Sequence, residues 1–162
     1  MKMKKTIFLL IALMSLFVLS GCFGSKEKAE EKQGIQTVSK GYLEELKKQY
    51  AGKTLVVNFF ASWCPPCRGE TPDFVKAYEK YKDQDFVIVG ISVDKTAEDA
   101  QKFVDEFKIT YPVVHGDDSL GMEMSVNTIP VSFIFKPDGK LFDRAEGPLS
   151  DTQLEYIATK LK

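Results

Sequence analysis

The chain has 162 residues, 44% of them hydrophobic and 28% charged, which suits one soluble domain with a real core and something small at one end. Its formal net charge of -1 hides an asymmetry: Lys2, Lys4 and Lys5 fall in the first 21 residues, and the remainder carries 19 basic against 23 acidic side chains, which argues against nucleic acid as a partner. Three cysteines, Cys22, Cys64 and Cys67, exclude a multi-bridge scaffold and a four-cysteine zinc site within one chain, and neither a metal nor a cofactor is expected.

Met1 to Lys5 is basic, and Ile7 to Leu19 is a nearly unbroken apolar run of 13 residues. A membrane-spanning helix needs roughly 20, so the run reads as the core of a signal peptide over residues 1–21. Its end, Leu19-Ser20-Gly21-Cys22, resembles the lipobox of bacterial lipoproteins. That resemblance implies a mature chain beginning at a lipid-bearing Cys22; a retained signal anchor and an ordinary secretory peptide with a chance cysteine are the competing readings. Within residues 22–34, the stretch Gly24 to Gly34 is charged with almost nothing to bury. It predicts a solvated spacer reaching at most about 35 Å. The expected location is extracytoplasmic, lipid-anchored to the bacterial cell membrane, where thiols tend to oxidise.

The folded domain is expected over residues 35–162. Tyr42, Leu43, Leu46 and Tyr50 have helical spacing, and Gly52 stops that helix. Thr54 to Phe60 is continuously apolar, as a central strand buried on both faces should be. Trp63-Cys64-Pro65-Pro66-Cys67 follows at once and opens a helix to about Asp83, with Pro65 and Pro66 tolerated in the first turn and Pro72 expected to kink it. Phe86 to Val93 predicts a second buried strand, Ala97 to Phe107 a helix, Pro112 to Val114 a short strand, and Ser119 to Met124 a helical turn. His115, the single histidine, reads as an ordinary surface residue in a polar loop. Ile129 to Phe135 predicts a strand that Pro130 opens, Pro137-Asp138-Gly139-Lys140 a turn, and Leu141 to Glu146 its antiparallel partner. A last helix capped by Ser150 or Asp151 runs to Leu161. The expected fold class is α/β, a mixed central sheet with helices on both faces.

A C-x-x-C that leaves a strand and opens a helix puts its first sulfur where free N–H groups and the helix dipole favour a thiolate. Cys64 is thus the candidate attacking thiolate and Cys67 the resolving thiol. A static disulfide across so small a loop gains little entropy, and half of a metal site shared between chains is the other non-catalytic reading. Trp63 beside the nucleophile reads as a lid and contact surface.

Three features resemble the thioredoxin fold: W-C-x-x-C at a strand-to-helix junction, Pro72 five residues after the second cysteine, and Thr128-Ile129-Pro130 before a strand, a hairpin and a terminal helix. The resemblance implies a cis Ile129–Pro130 bond beside the sulfurs. It also implies Ile129 and Pro130, with Trp63, Pro65 and Pro66, as the substrate-binding surface. The 36 residues from Asp94 to Pro130 leave room for an extra helix and strand, Lys95 to Val114. That insertion, the lipid signal and Cys67-Arg68-Gly69-Glu70-Thr71-Pro72 resemble the TlpA/ResA-like branch of membrane-tethered thiol-disulfide reductases, some of which serve cytochrome c maturation. Trp-Cys-Pro-Pro-Cys-Arg-Gly also resembles tryparedoxins and nucleoredoxins, which are intracellular and leave Cys22 unexplained. Asn58 stands where thioredoxin has a buried Asp, and Glu70 is the substitute proton-handling candidate, against a solvated residue of the first helical turns.

The expected activity is reduction of protein disulfides, with apocytochrome c or other secreted proteins as clients, by a monomer that a membrane thiol-disulfide carrier re-reduces. The rivals are a disulfide oxidase or isomerase with the same site, a peroxidase, whose usual Thr-x-x-Cys is replaced by Ser62-Trp63-Cys64, and a non-catalytic tethered binding module.

Overall fold

A computed structural model describes residues 34–161, so the expected signal peptide, Cys22 and nearly all of the spacer lie outside the described residues. Six strands form one sheet in the order β1-β4-β3-β2-β5-β6. They are β1 (Thr37–Val38), β2 (Thr54–Phe60), β3 (Phe86–Ser92), β4 (Val113–Gly116), β5 (Val131–Phe135) and β6 (Leu141–Glu146). β2 is central: it pairs in parallel with β3 from Thr54↔Phe86 to Phe60↔Ser92, and antiparallel with β5 from Leu55↔Phe135 to Phe59↔Val131. β4 joins β3 in parallel, β1 joins β4 in parallel, and β6 closes the other edge against β5.

Every residue of β2 and β3 is buried, as continuous apolar runs require when both faces are covered. The two-residue period divides β2 between two cores. Leu55, Val57 and Phe59 pack with Leu46 of α1 (Tyr42–Gln49) and Leu120 of α4 (Asp118–Glu123). Val56 and Phe60 pack on the opposite face with Phe74, Ala77 and Tyr81 of α2 (Pro65–Tyr81). Phe103 of α3 (Ala97–Phe107) and Leu154 and Ile157 of α5 (Asp151–Lys160) join that second core. The layers, the antiparallel β5–β6 hairpin and the α3–β4 insertion agree with the expected thioredoxin-like α/β fold.

Several boundaries differ. β1 has only two residues, too few to carry a period, and was not expected. β4 extends to Gly116, so His115 is a strand residue and half-buried rather than a surface residue in a loop. Its backbone N–H donates to the Gln36 carbonyl, which adds β1 to this edge. β5 begins at Val131, leaving Ile129 and Pro130 in the loop before it. Pro72 lies inside α2 without ending it. No helix among the described residues is long and apolar enough to cross a membrane.

Candidate active site

The C-terminal end of β2 runs through Ala61, Ser62 and Trp63 into Cys64, the N-cap of α2, whose extended backbone (φ -88°, ψ 110°) turns the chain into the helix. Pro65 and Pro66 fill the first turn, where no N–H partner is required. The Cys67 N–H donates to Cys64 Sγ over 3.3 Å, so the sulfur caps the helix as a hydroxyl elsewhere would. Cys64 and Cys67 form a disulfide with Cα atoms 5.3 Å apart. Both are buried, Cys67 completely and Cys64 to 3% exposure, while Trp63 is 67% exposed and Pro65 and Pro66 are exposed beside it.

Ile129–Pro130 is cis. Because β5 runs against β2 and starts opposite Phe59, this bond lies at the end of the sheet from which Cys64 departs. Ile129 is half-buried and Pro130 buried. Trp63, Val93, Asp117, exposed Met122 and Ile129 line one groove.

Glu70, one helical turn beyond Cys67, is buried to 4% exposure, which overturns the reading of it as a solvated helix residue. Asn58 donates from Nδ2 to Glu70 Oε1 at 3.0 Å and to Ser132 Oγ at 3.0 Å. The Leu149 N–H donates to Glu70 Oε2 at 2.9 Å. These bonds favour the anion, yet burial outweighs them and pushes the carboxyl up to about 7. Burial, with the charge of Glu70 added, also raises the Tyr111 phenol far above its ordinary range.

Asp94, Ser62 and Arg68 form a further polar cluster that the sequence reading did not assign to the site. Asp94 is 6% exposed and takes hydrogen bonds from the backbone and side chain of Ser62. Arg68 donates to the Ser62 carbonyl and pairs with Glu106 on α3. The available signal was an acidic residue two positions after a wholly buried strand, where burial demands partners.

The AhpC/TSA family model matches residues 35–144. A thiol-disulfide oxidoreductase ResA of Bacillus cereus is 32% identical over 173 residues, 99% of each chain. The ResA of Oceanobacillus iheyensis is 32% identical over 105 residues, 64% of this chain and 55% of that protein, so that match spans about half of the relative's length. Among solved structures, a thioredoxin-family thiol:disulfide interchange protein from Chlorobium tepidum TLS superposes with TM-score 0.67 at 30% identity, over 71% of this chain and 83% of the other.

Proposed function

The chain belongs to the AhpC/TSA family and is a thioredoxin-like thiol-disulfide oxidoreductase, and from that premise we propose that it is an extracytoplasmic, membrane-tethered reductase of protein disulfides. The observation that carries this reading is the Cys64–Cys67 disulfide at the N-terminus of α2, at the same sheet end as the cis Ile129–Pro130 bond. Helix N–H groups stabilise a thiolate there, and an extended substrate segment pairs with the backbone beside Pro130.

In the reduced enzyme the Cys64 thiolate attacks one sulfur of a substrate disulfide. The substrate S–S bond breaks, its leaving thiolate takes a proton, and a mixed disulfide joins Cys64 to the substrate. Cys67 then loses its proton and attacks Cys64 Sγ, so that the second substrate sulfur leaves as a thiol. Two electrons have passed from enzyme to substrate, with one proton supplied by Cys67 and one by water. Glu70, whose carboxyl titrates near 7, is in its ionised form the nearby base suited to accept the Cys67 proton. Trp63, Pro65 and Pro66 supply the exposed contact surface.

Cys22 is assigned as the lipid anchor on the strength of the preceding basic, apolar and small-residue segments. A membrane thiol-disulfide carrier returns the enzyme to its dithiol form, and apocytochrome c or another secreted protein is the client.

Cys67→Ser is expected to accumulate mixed disulfides with client proteins on non-reducing gels, and Cys64→Ser to accumulate none; the reverse pattern overturns the assignment of roles. Equilibration with glutathione tests the direction of electron flow. A strongly reducing potential supports the reductase, and an oxidising one replaces it with an oxidase.

A further inference from the structure

A second buried polar cluster lies directly before the reacting pair. The two carboxylate oxygens of Asp94 share the Ser62 N–H, each at 3.1 Å. The Ser62 hydroxyl donates to Oδ1 at 2.7 Å, and the Ser92 hydroxyl donates to Oδ2 at 2.7 Å while accepting the Asp94 N–H at 3.0 Å. The Asp94 carbonyl is held as well. It can only accept, so His115 Nε2, 2.8 Å away, is a protonated ring nitrogen, and Nδ1 is hydrogen-bonded to the Thr37 hydroxyl at 3.2 Å. From the other side Arg68 Nη1 donates to the Ser62 carbonyl at 3.2 Å. The guanidinium lies over the rings of Phe107 and Phe103, 5.0 and 5.6 Å from their centroids. The N–H, O–H and C=O of Ser62 therefore all have partners, two residues before the nucleophile.

We propose that Asp94 is a positioning residue for the dithiol–disulfide couple: by holding Ser62 it fixes the turn that carries Cys64 and keeps the two sulfurs near each other when the disulfide is open. The inference rests on Cys64 and Cys67 being the reacting pair. While the S–S bond is closed, the covalent bond sets the sulfur separation; once it is reduced, only the backbone and its contacts do. Reclosure is an intramolecular reaction, so its equilibrium depends on the effective concentration of one thiol at the other. A carboxylate bound to one residue through a backbone N–H and a hydroxyl restricts the turn more than either bond alone, and charge-assisted bonds are the stronger kind. Restriction raises the effective concentration, favours the closed form and makes the dithiol a stronger reductant.

The test is equilibration with glutathione, in which the enzyme disulfide and two glutathione thiols give the enzyme dithiol and one glutathione disulfide. The fluorescence of Trp63, the single tryptophan, is the readout. Asp94→Asn is expected to make the disulfide about tenfold easier to reduce, about 30 mV for a two-electron couple. Ser62→Ala keeps the carboxylate and loses one bond to it, and a shift of roughly threefold in the same direction is expected. A shift in Asp94→Asn alone would assign the effect to charge and overturn the positioning role. So would lowered thermal stability in both variants with wild-type equilibrium constants. Should Asp94→Asn fail to fold, Ser62→Ala decides by the same criterion. A wild-type protein that does not exchange with glutathione at all would instead remove the dithiol reading beneath the inference.

Discussion

Burial decides the character of Glu70. Its carboxyl titrates near 7 in the folded protein and near 4.5 when exposed, so between those values the folded state holds a proton that the unfolded chain has released. Stability from this group is therefore fully present below about pH 4.5 and is lost as pH rises to about 7, by on the order of 3 kcal/mol. Denaturant unfolding of the oxidised protein at a series of pH values should show this decline in the wild type, and Glu70→Gln should lack it. Parallel profiles for the two proteins would refute it. At this scale the place of the cysteine pair was legible, because a C-x-x-C after an apolar run falls at a strand-to-helix junction, where the disulfide lies. The burial of Glu70 was not, since the Leu149 N–H that meets it lies 79 residues away. The partner of Asp94 was hidden for the same reason: Ser62, which it holds, is 32 residues distant.

Elements were legible where a pattern had length. β2 and β3 announced themselves by mostly apolar runs, and α3 by its 3.6-residue period between the Thr96 cap and left-handed Lys108. β1 did not, because two residues form a strand only when a neighbour supplies the ladder. Gly90 shows why a buried strand carries a glycine. A Cβ there would lie 3.0 Å from Phe60 Cε1 and 3.2 Å from both Tyr111 Cε2 and Val113 Cγ2. Gly90→Val is expected to lower stability by about 1–3 kcal/mol through overpacking, and an unchanged denaturation midpoint would contradict this. At the start of α5, Ser150 and Gln153 bond reciprocally to each other's backbone N–H. Ser150→Ala should cost about 1 kcal/mol in the same measurement, and Ser150→Asp should recover most of it.

The whole molecule joins a sheet with two covered faces to an N-terminal segment of different composition. Residues 34–161 contain the sheet, both cores and the reacting pair. A chain beginning at Gln33 is therefore expected to exchange with glutathione with the wild-type equilibrium constant. Cys22→Ser in the full chain is expected to move the protein from the membrane fraction to the medium, detected by fractionation and immunoblotting; retention in the membrane would point to an uncleaved signal anchor.

The antiparallel seating of β5 on β2 also orders events in time. Asn58 meets Ser132 across 74 residues, and that pairing brings the loop holding Pro130 to the end of the sheet from which Cys64 departs. A chain made N-terminus first presents its two thiols long before the strand and helix that complete their surroundings. During that interval the pair is an ordinary dithiol, open to any oxidant or stray disulfide it meets. Those surroundings arrive with the last segments to emerge, so a stalled or clipped copy carries the two thiols without the Ile129–Pro130 loop at their end of the sheet.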